Sequence, residues 1–135
     1  MESFVEKILY DNWIGNICHE REMDFPKLSD VYDVIDMLDA KTRTILSLYG
    51  RDGSFLTIGG GAGQYVVYAS MSDEQLWNLH PIDAKSDRKI ILNAGGQEGE
   101  YSSHQIVGKE TVIQSAASFF FHGTLEPSNQ WEKQE

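Results

Sequence analysis

The apolar positions of this chain change period several times, and each change marks an element. In LSDVYDVIDMLDA, residues 28–40, Leu28, Val31, Val34, Ile35 and Leu38 fall at helical spacing with acidic residues between them. This predicts a first helix, with Ser29 or Asp30 capping its start. From residue 42 the period becomes two. TRTILSLYG, SFLTIGG and QYVVYAS read as three antiparallel strands, the first two joined through Asp52-Gly53. KETVIQSAASFFFHG returns to helical spacing through Val112, Ile113, Ala116, Ala117, Phe119 and Phe120, and Gly123 suits a left-handed cap.

The remaining stretches carry weaker signals. Phe4 to Tyr10 and Trp13 to Cys18 lean towards strands, and EREMDF reads as a charged connection closed by Pro26. MSDEQLWNLH predicts a short helix, because Ser72 followed by Gln75 is a possible capping box and Pro81 limits its length. Residues 82–88 read as polar loop, KIILN as a short, wholly apolar strand, and GGQEGEYSS as loop. The tail TLEPSNQWEKQE is polar except for Leu125 and Trp131. The expected architecture is a single α+β domain over residues 1–135, an antiparallel sheet with a meander core and two main helices packed on one face.

Charge adds a functional hint. Twenty-one acidic residues against 11 Lys and Arg give a formal charge of −10, which repels nucleic acid and anionic membranes and attracts a basic protein. The same acidity also serves solubility alone. The single cysteine, Cys18, excludes an internal disulfide and fits a reducing compartment. The N-terminus has Glu2 and Glu6 where a signal peptide carries basic residues, and no long apolar run, so a cytoplasmic protein is expected.

Gly59, Gly60, Gly61 and Gly63 raise the question of a phosphate loop. A dinucleotide fingerprint counted from Gly59 needs a glycine where Gln64 stands, and counted from Gly61 where Val66 stands. The strand-forming Tyr65 to Tyr68 leaves no helix N-terminus to receive a phosphate. The patch therefore reads as a strand corner or bulge, or a place where another backbone approaches closely. HEREM lacks the second histidine of a zinc-protease helix, and His19, His80, His104 and His122 have no zinc spacing, so no metal or cofactor is expected. Cys18 beside His19 suggests a thiol nucleophile only briefly; it reads as a buried small apolar residue. Asp33, Asp36 and Asp39 read as the solvated side of the first helix. No catalytic constellation emerges, and the chain is not expected to be an enzyme.

Several stretches in order carry a resemblance. They are Leu38-Asp39, Arg43-Thr44, Leu56 with Ile58 to Gly61, Tyr65-Val66, Gly95 to Gln97, and Phe119-Phe120 followed by Pro127 and Trp131. Over residues 28–132 this pattern resembles the Imm1 family of bacterial immunity proteins; the first 27 residues add nothing to it. The resemblance implies a small cytoplasmic α+β protein that binds a cognate polymorphic toxin of contact-dependent inhibition or secretion systems. Such a toxin is commonly a nuclease or nucleic-acid deaminase with a basic cleft, and the immunity protein occludes its active site or substrate cleft. Acidic or aromatic residues in expected loops then become the toxin-binding candidates: Asp73, Glu74, Trp77, Glu98, Glu100, Tyr101 and Trp131. The competing expectation is a small-ligand-binding or regulatory module using the Gly59–Gly63 corner.

Overall fold

The computed structural model describes residues 3–71, 75–80 and 88–134. The strands are β1 (Val5–Tyr10), β2 (Trp13–Ile14), β3 (Ile17–Cys18), β4 (Arg21–Asp24), β5 (Ile45–Gly50), β6 (Phe55–Gly61), β7 (Gln64–Ser70), β8 (Leu76–His80), β9 (Lys89–Asn93), β10 (Glu98–Ser102) and β11 (Gln130–Gln134). The helices are α1 (Leu28–Met37) and α2 (Lys109–His122), and a single 3-10 turn covers Ser103–Gln105. Seven strands form one antiparallel sheet in the order β11-β8-β7-β6-β5-β1-β4, so β5 to β8 are a meander with one strand pair added on one side and one strand on the other. The α+β expectation holds.

Strand pleating sorts the side chains into two layers. Ile8, Leu46, Leu48, Leu56, Ile58, Val67, Ala69 and Leu79 share one face and are buried. Both helices cover it. α1 contributes Val31, Val34 and Ile35, and α2 contributes Val112, Ala116, Phe119 and Phe120, all in the same apolar cluster. Lys109 at the start of α2 pairs with Asp36 of α1. Gly123 ends α2 in the left-handed conformation, φ 66°, with its N–H on the Phe119 carbonyl. The helix start is capped at Lys27, two residues before Ser29 and three before Asp30: the Lys27 backbone N–H donates to the Asp30 carboxylate at 2.8 Å, while Ser29 already lies within the helix.

Four stretches depart from the sequence expectation, and all four are strands near an edge or outside the main sheet. Leu76–His80 is β8 rather than helix; Ser72, half of the expected capping box, lies outside the described residues, as do residues 82–87 of the expected polar loop. EREMDF supplies the edge strand β4, GGQEGEYSS supplies β10, and the tail supplies β11 at the other edge. KIILN is a strand as expected, β9, but only its Leu92 is buried and Ile91 is 60% exposed.

β9 and β10 pair only with each other and lie over the second face of the sheet. A Cβ on Gly59 would stand 2.6 Å from that of Ala94, and one on Gly95 would stand 3.7 Å from the side chain of Ile45. The β11 segment is stitched to α2. Glu126 accepts from the Ser118 hydroxyl and from the Ser128 hydroxyl and N–H, and Asn129 donates to the Ser115 hydroxyl at 2.9 Å.

Candidate functional site

At one end of the sheet, where β1 and β6 finish and β5 and β7 begin, the connections converge on a buried carboxylate. Asp11 follows β1 and is 5% exposed. Its Oδ1 accepts from the backbone N–H of Thr44 at 2.7 Å and of Ile45 at 3.0 Å. Its Oδ2 accepts from the Trp13 indole N–H at 2.8 Å and from the Thr44 hydroxyl. The Thr44 oxygen in turn accepts from the N–H groups of Gly95 and Gly96, each at 3.0 Å. One carboxylate and one hydroxyl thus fasten β1, β5, the β2–β3 hairpin and the β9–β10 turn together. A buried charge needs such a complete set of donors.

The turn NAGGQ is shaped for this contact. Gly95 and Gly96 have φ of 83° and 88°, which aims successive N–H groups at one oxygen, and a Cβ on Gly96 would collide with the Trp13 ring. Asp39 performs a similar service beside it. Its Oδ1 accepts from the N–H groups of Lys41, Thr42 and Arg43, and its Oδ2 from the Thr42 hydroxyl. Burial opposes the charge on Asp39, but the donors of Arg43, Lys41 and Thr42 outweigh it and hold its carboxyl at about 2. The hydroxyls of Ser118 and Ser128 and the Ser128 N–H hold Glu126 at about 2 as well.

Both carboxyls are depressed in the fold, so each contributes stability above its unfolded pKa that is lost as pH falls towards about 2. Thermal melts from pH 5 to pH 2 are expected to show a declining midpoint, with a smaller decline for Asp39→Asn and Glu126→Gln. Because both groups face solvent, screening keeps each effect modest. Parallel curves for wild type and both variants would refute this assignment.

The glycine patch is a crossing point approached from both faces of the sheet. Gly59 makes room for Ala94, and a Cβ on Gly60 would meet the Gln64 carbonyl at 2.5 Å and Leu92 at 2.8 Å. One on Gly61 would lie 2.5–2.6 Å from the backbone of Leu38, Asp39 and Ala40. Beside it opens a cleft of about 380 Å³ whose lining includes Asp39, Lys41, Gln64, Ile91 and Glu98. Two carboxylates and one ammonium make a poor place for a phosphate.

The proposed contact residues divide between two regions. Glu98 and Glu100 are exposed on the outer side of β10 together with Ile91, and Lys89 pairs with Glu100 at 3.3 Å. Tyr101 points the other way, into the space between the hairpin and Val66, Tyr68 and Asn78. Trp77 and Trp131 lie in β8 and β11 on the helix side of the sheet. Trp131 packs against the core and donates its indole N–H to the Glu126 carbonyl at 3.1 Å. Asp73 and Glu74 lie outside the described residues. Of the seven, then, Glu98 and Glu100 share one outward surface, whereas Tyr101 and Trp131 are engaged in packing.

Sequence reading missed the Asp11–Thr44 hub, whose sole trace in the sequence is an acid two residues before a tryptophan. It also missed Cys18, which is exposed on β3 rather than buried. That strand is a two-residue arm projecting beyond the main sheet, with no core to enter. Among the described residues no three His, Cys, Asp or Glu side chains come together as metal ligands, and no helix is long and apolar enough to cross a membrane.

Fold and site together define an acidic α+β domain in which the buried Asp11 and Thr44 hold connections in place. No family model matches the chain, and no curated protein is similar to it.

Proposed function

We infer that this chain is a cytoplasmic immunity protein that binds a cognate bacterial toxin domain, a nuclease or nucleic-acid deaminase, and occludes its active site or substrate cleft. The observation that carries the reading is the division of labour at the end of the sheet. Asp11 and Thr44, the buried polar pair, have their hydrogen-bonding capacity taken up internally, which suits a scaffold rather than a reaction centre. Glu98, Glu100 and Ile91 stand outward on a hairpin fastened to that scaffold. With a net charge of −10 the molecule is drawn to a cationic nucleic-acid cleft, and complementary charge speeds capture. The ordered motifs that resemble the Imm1 family support the same reading.

The test uses the protein encoded in the adjacent upstream reading frame. Co-purification is expected, with an affinity that weakens as salt rises, and co-expression is expected to rescue growth. No complex, and killing equal with and without this chain, would overturn the reading.

A further inference from the structure

The β2–β3 hairpin has no role in the fold proportionate to its construction. Trp13–Ile14 and Ile17–Cys18 pair across Gly15 and Asn16, a two-residue turn with Gly15 at φ 63°. Ile14 and Ile17 oppose each other in the ladder and are 62% and 60% exposed. An isolated hairpin this short does not hold its shape in water. This one is held at its root. The Trp13 N–H donates to the Thr42 carbonyl at 2.8 Å, its indole N–H to Asp11, and its ring lies on Gly96. The His19 N–H closes the base on the Asn12 carbonyl at 2.8 Å.

The arm is therefore rigid where it joins the sheet and apolar where it meets solvent. Single exposed apolar residues are ordinary on a protein surface, but two β-branched ones paired at the tip of an anchored arm are a preformed contact. Glu20 follows directly on the chain, Arg21 and Glu22 come next, with Glu22 paired to Lys7 of β1 at 3.5 Å, and Lys41 adjoins the Thr42 anchor. The exposed residues from His19 to Asp24 hold three acids and one arginine, in keeping with the chain's overall −10.

We propose that the Ile14–Ile17 tip is the anchor by which this chain engages its partner, inserting into an apolar recess bordered by cationic side chains on a basic protein domain. The inference rests on the immunity reading and assigns the contact to the N-terminal segment, outside the stretch that carries the family resemblance. The narrow tip suits a recess rather than a flat surface, and Glu20 at its base, with the overall charge of −10, suits a cationic rim.

The experiment measures binding of the purified protein from the upstream reading frame to the full chain. Ile14→Thr/Ile17→Thr keeps β-branched residues in the hairpin. It is expected to raise the dissociation constant about 100-fold, chiefly through faster dissociation, with an unchanged melting temperature. Leu76→Thr, on β8, is expected to bind as wild type. Glu20→Lys is expected to slow association and flatten its salt dependence. If the double variant folds poorly, Asn16→Arg at the exposed turn replaces it. Loss of binding supports the proposal, and wild-type affinity overturns it. Wild-type affinity in the tip variants, with wild type itself protective, overturns the anchor and leaves the immunity reading standing. Failure of wild type to bind overturns both. Sedimentation showing a dimer of this chain that the tip variants dissolve also overturns it, by making the tip a self-contact.

Discussion

Asp11→Ala is expected to lower the melting temperature by about 15 °C. The substitution strands the N–H groups of Thr44 and Ile45, the Trp13 indole N–H and the Thr44 hydroxyl. A buried donor left without a partner costs about 1–3 kcal/mol, and neighbouring losses overlap, so the sum is on the order of 4 kcal/mol. At about 4 °C per kcal/mol for a domain of this size, that gives the stated shift and takes a large share of a total stability of about 5–15 kcal/mol. Asp11→Asn keeps one acceptor oxygen and is expected to lie between. Thr44→Val keeps the shape but deprives Gly95 and Gly96 of their acceptor, and should free the β9–β10 turn more than it lowers the midpoint. Differential scanning calorimetry of the three variants checks the order. An Asp11→Ala midpoint within a few degrees of wild type would mean that water replaces the carboxylate and that the hub does not organise this end.

Gly61→Ala is expected to cost nearly as much, for a steric reason. Gly61 has φ of 143°, and a Cβ there would press on backbone atoms of Leu38, Asp39 and Ala40 at 2.5–2.6 Å. Backbone cannot swing aside as a side chain can. A disfavoured φ costs about 1–3 kcal/mol and overpacking a further 1–3 kcal/mol, so a loss of about 4 kcal/mol is expected. Gly63→Ala supplies the contrast. Gly63 also has a positive φ, 88°, but its Cβ would meet nothing within 4 Å, so about 1 kcal/mol is expected. Denaturant titration separates the two. Equal effects would show that conformation alone, not the approach of the α1 terminus, requires glycine at position 61.

The parts of the fold that were legible are those whose burial is one-sided and regular. Val31, Val34 and Ile35 on the first helix, Leu38 at its end, and Val112, Ala116, Phe119 and Phe120 on the second are buried as their spacing predicts, while Leu28, Ile113 and Ala117 are half-buried at the margins. The meander β5–β7 follows from alternation and from Asp52-Gly53. Strands with few buried positions were not legible. β4 is almost wholly charged, β10 has no fully buried residue, and β8 buries Leu79 alone. Around β8 the Ser72-x-x-Gln75 pattern imitates a helix start, whereas Leu76 and Leu79 lie on opposite faces of a strand. The glycine patch was legible as a crossing point because the flanking residues fail every phosphate-loop pattern. The hub was not, since Asp11 and Thr44 stand 33 residues apart and a single carboxylate has no period. The candidate contact residues were chosen for lying in loops, and Trp131 shows the weakness of that criterion. Its indole holds the segment that forms β11.

The hub at Asp11 also bears on how this molecule tolerates change. It anchors two projecting hairpins through backbone groups, a hydroxyl and one indole, none of which belongs to the outward residues themselves. Ile14, Asn16, Ile17, Ile91, Glu98 and Glu100 are exposed, so their replacement costs folding little. Asp11, Thr44 and Gly61 allow almost no variation, while the surface they support allows a great deal. The outward surface can therefore be rewritten residue by residue without renegotiating the scaffold.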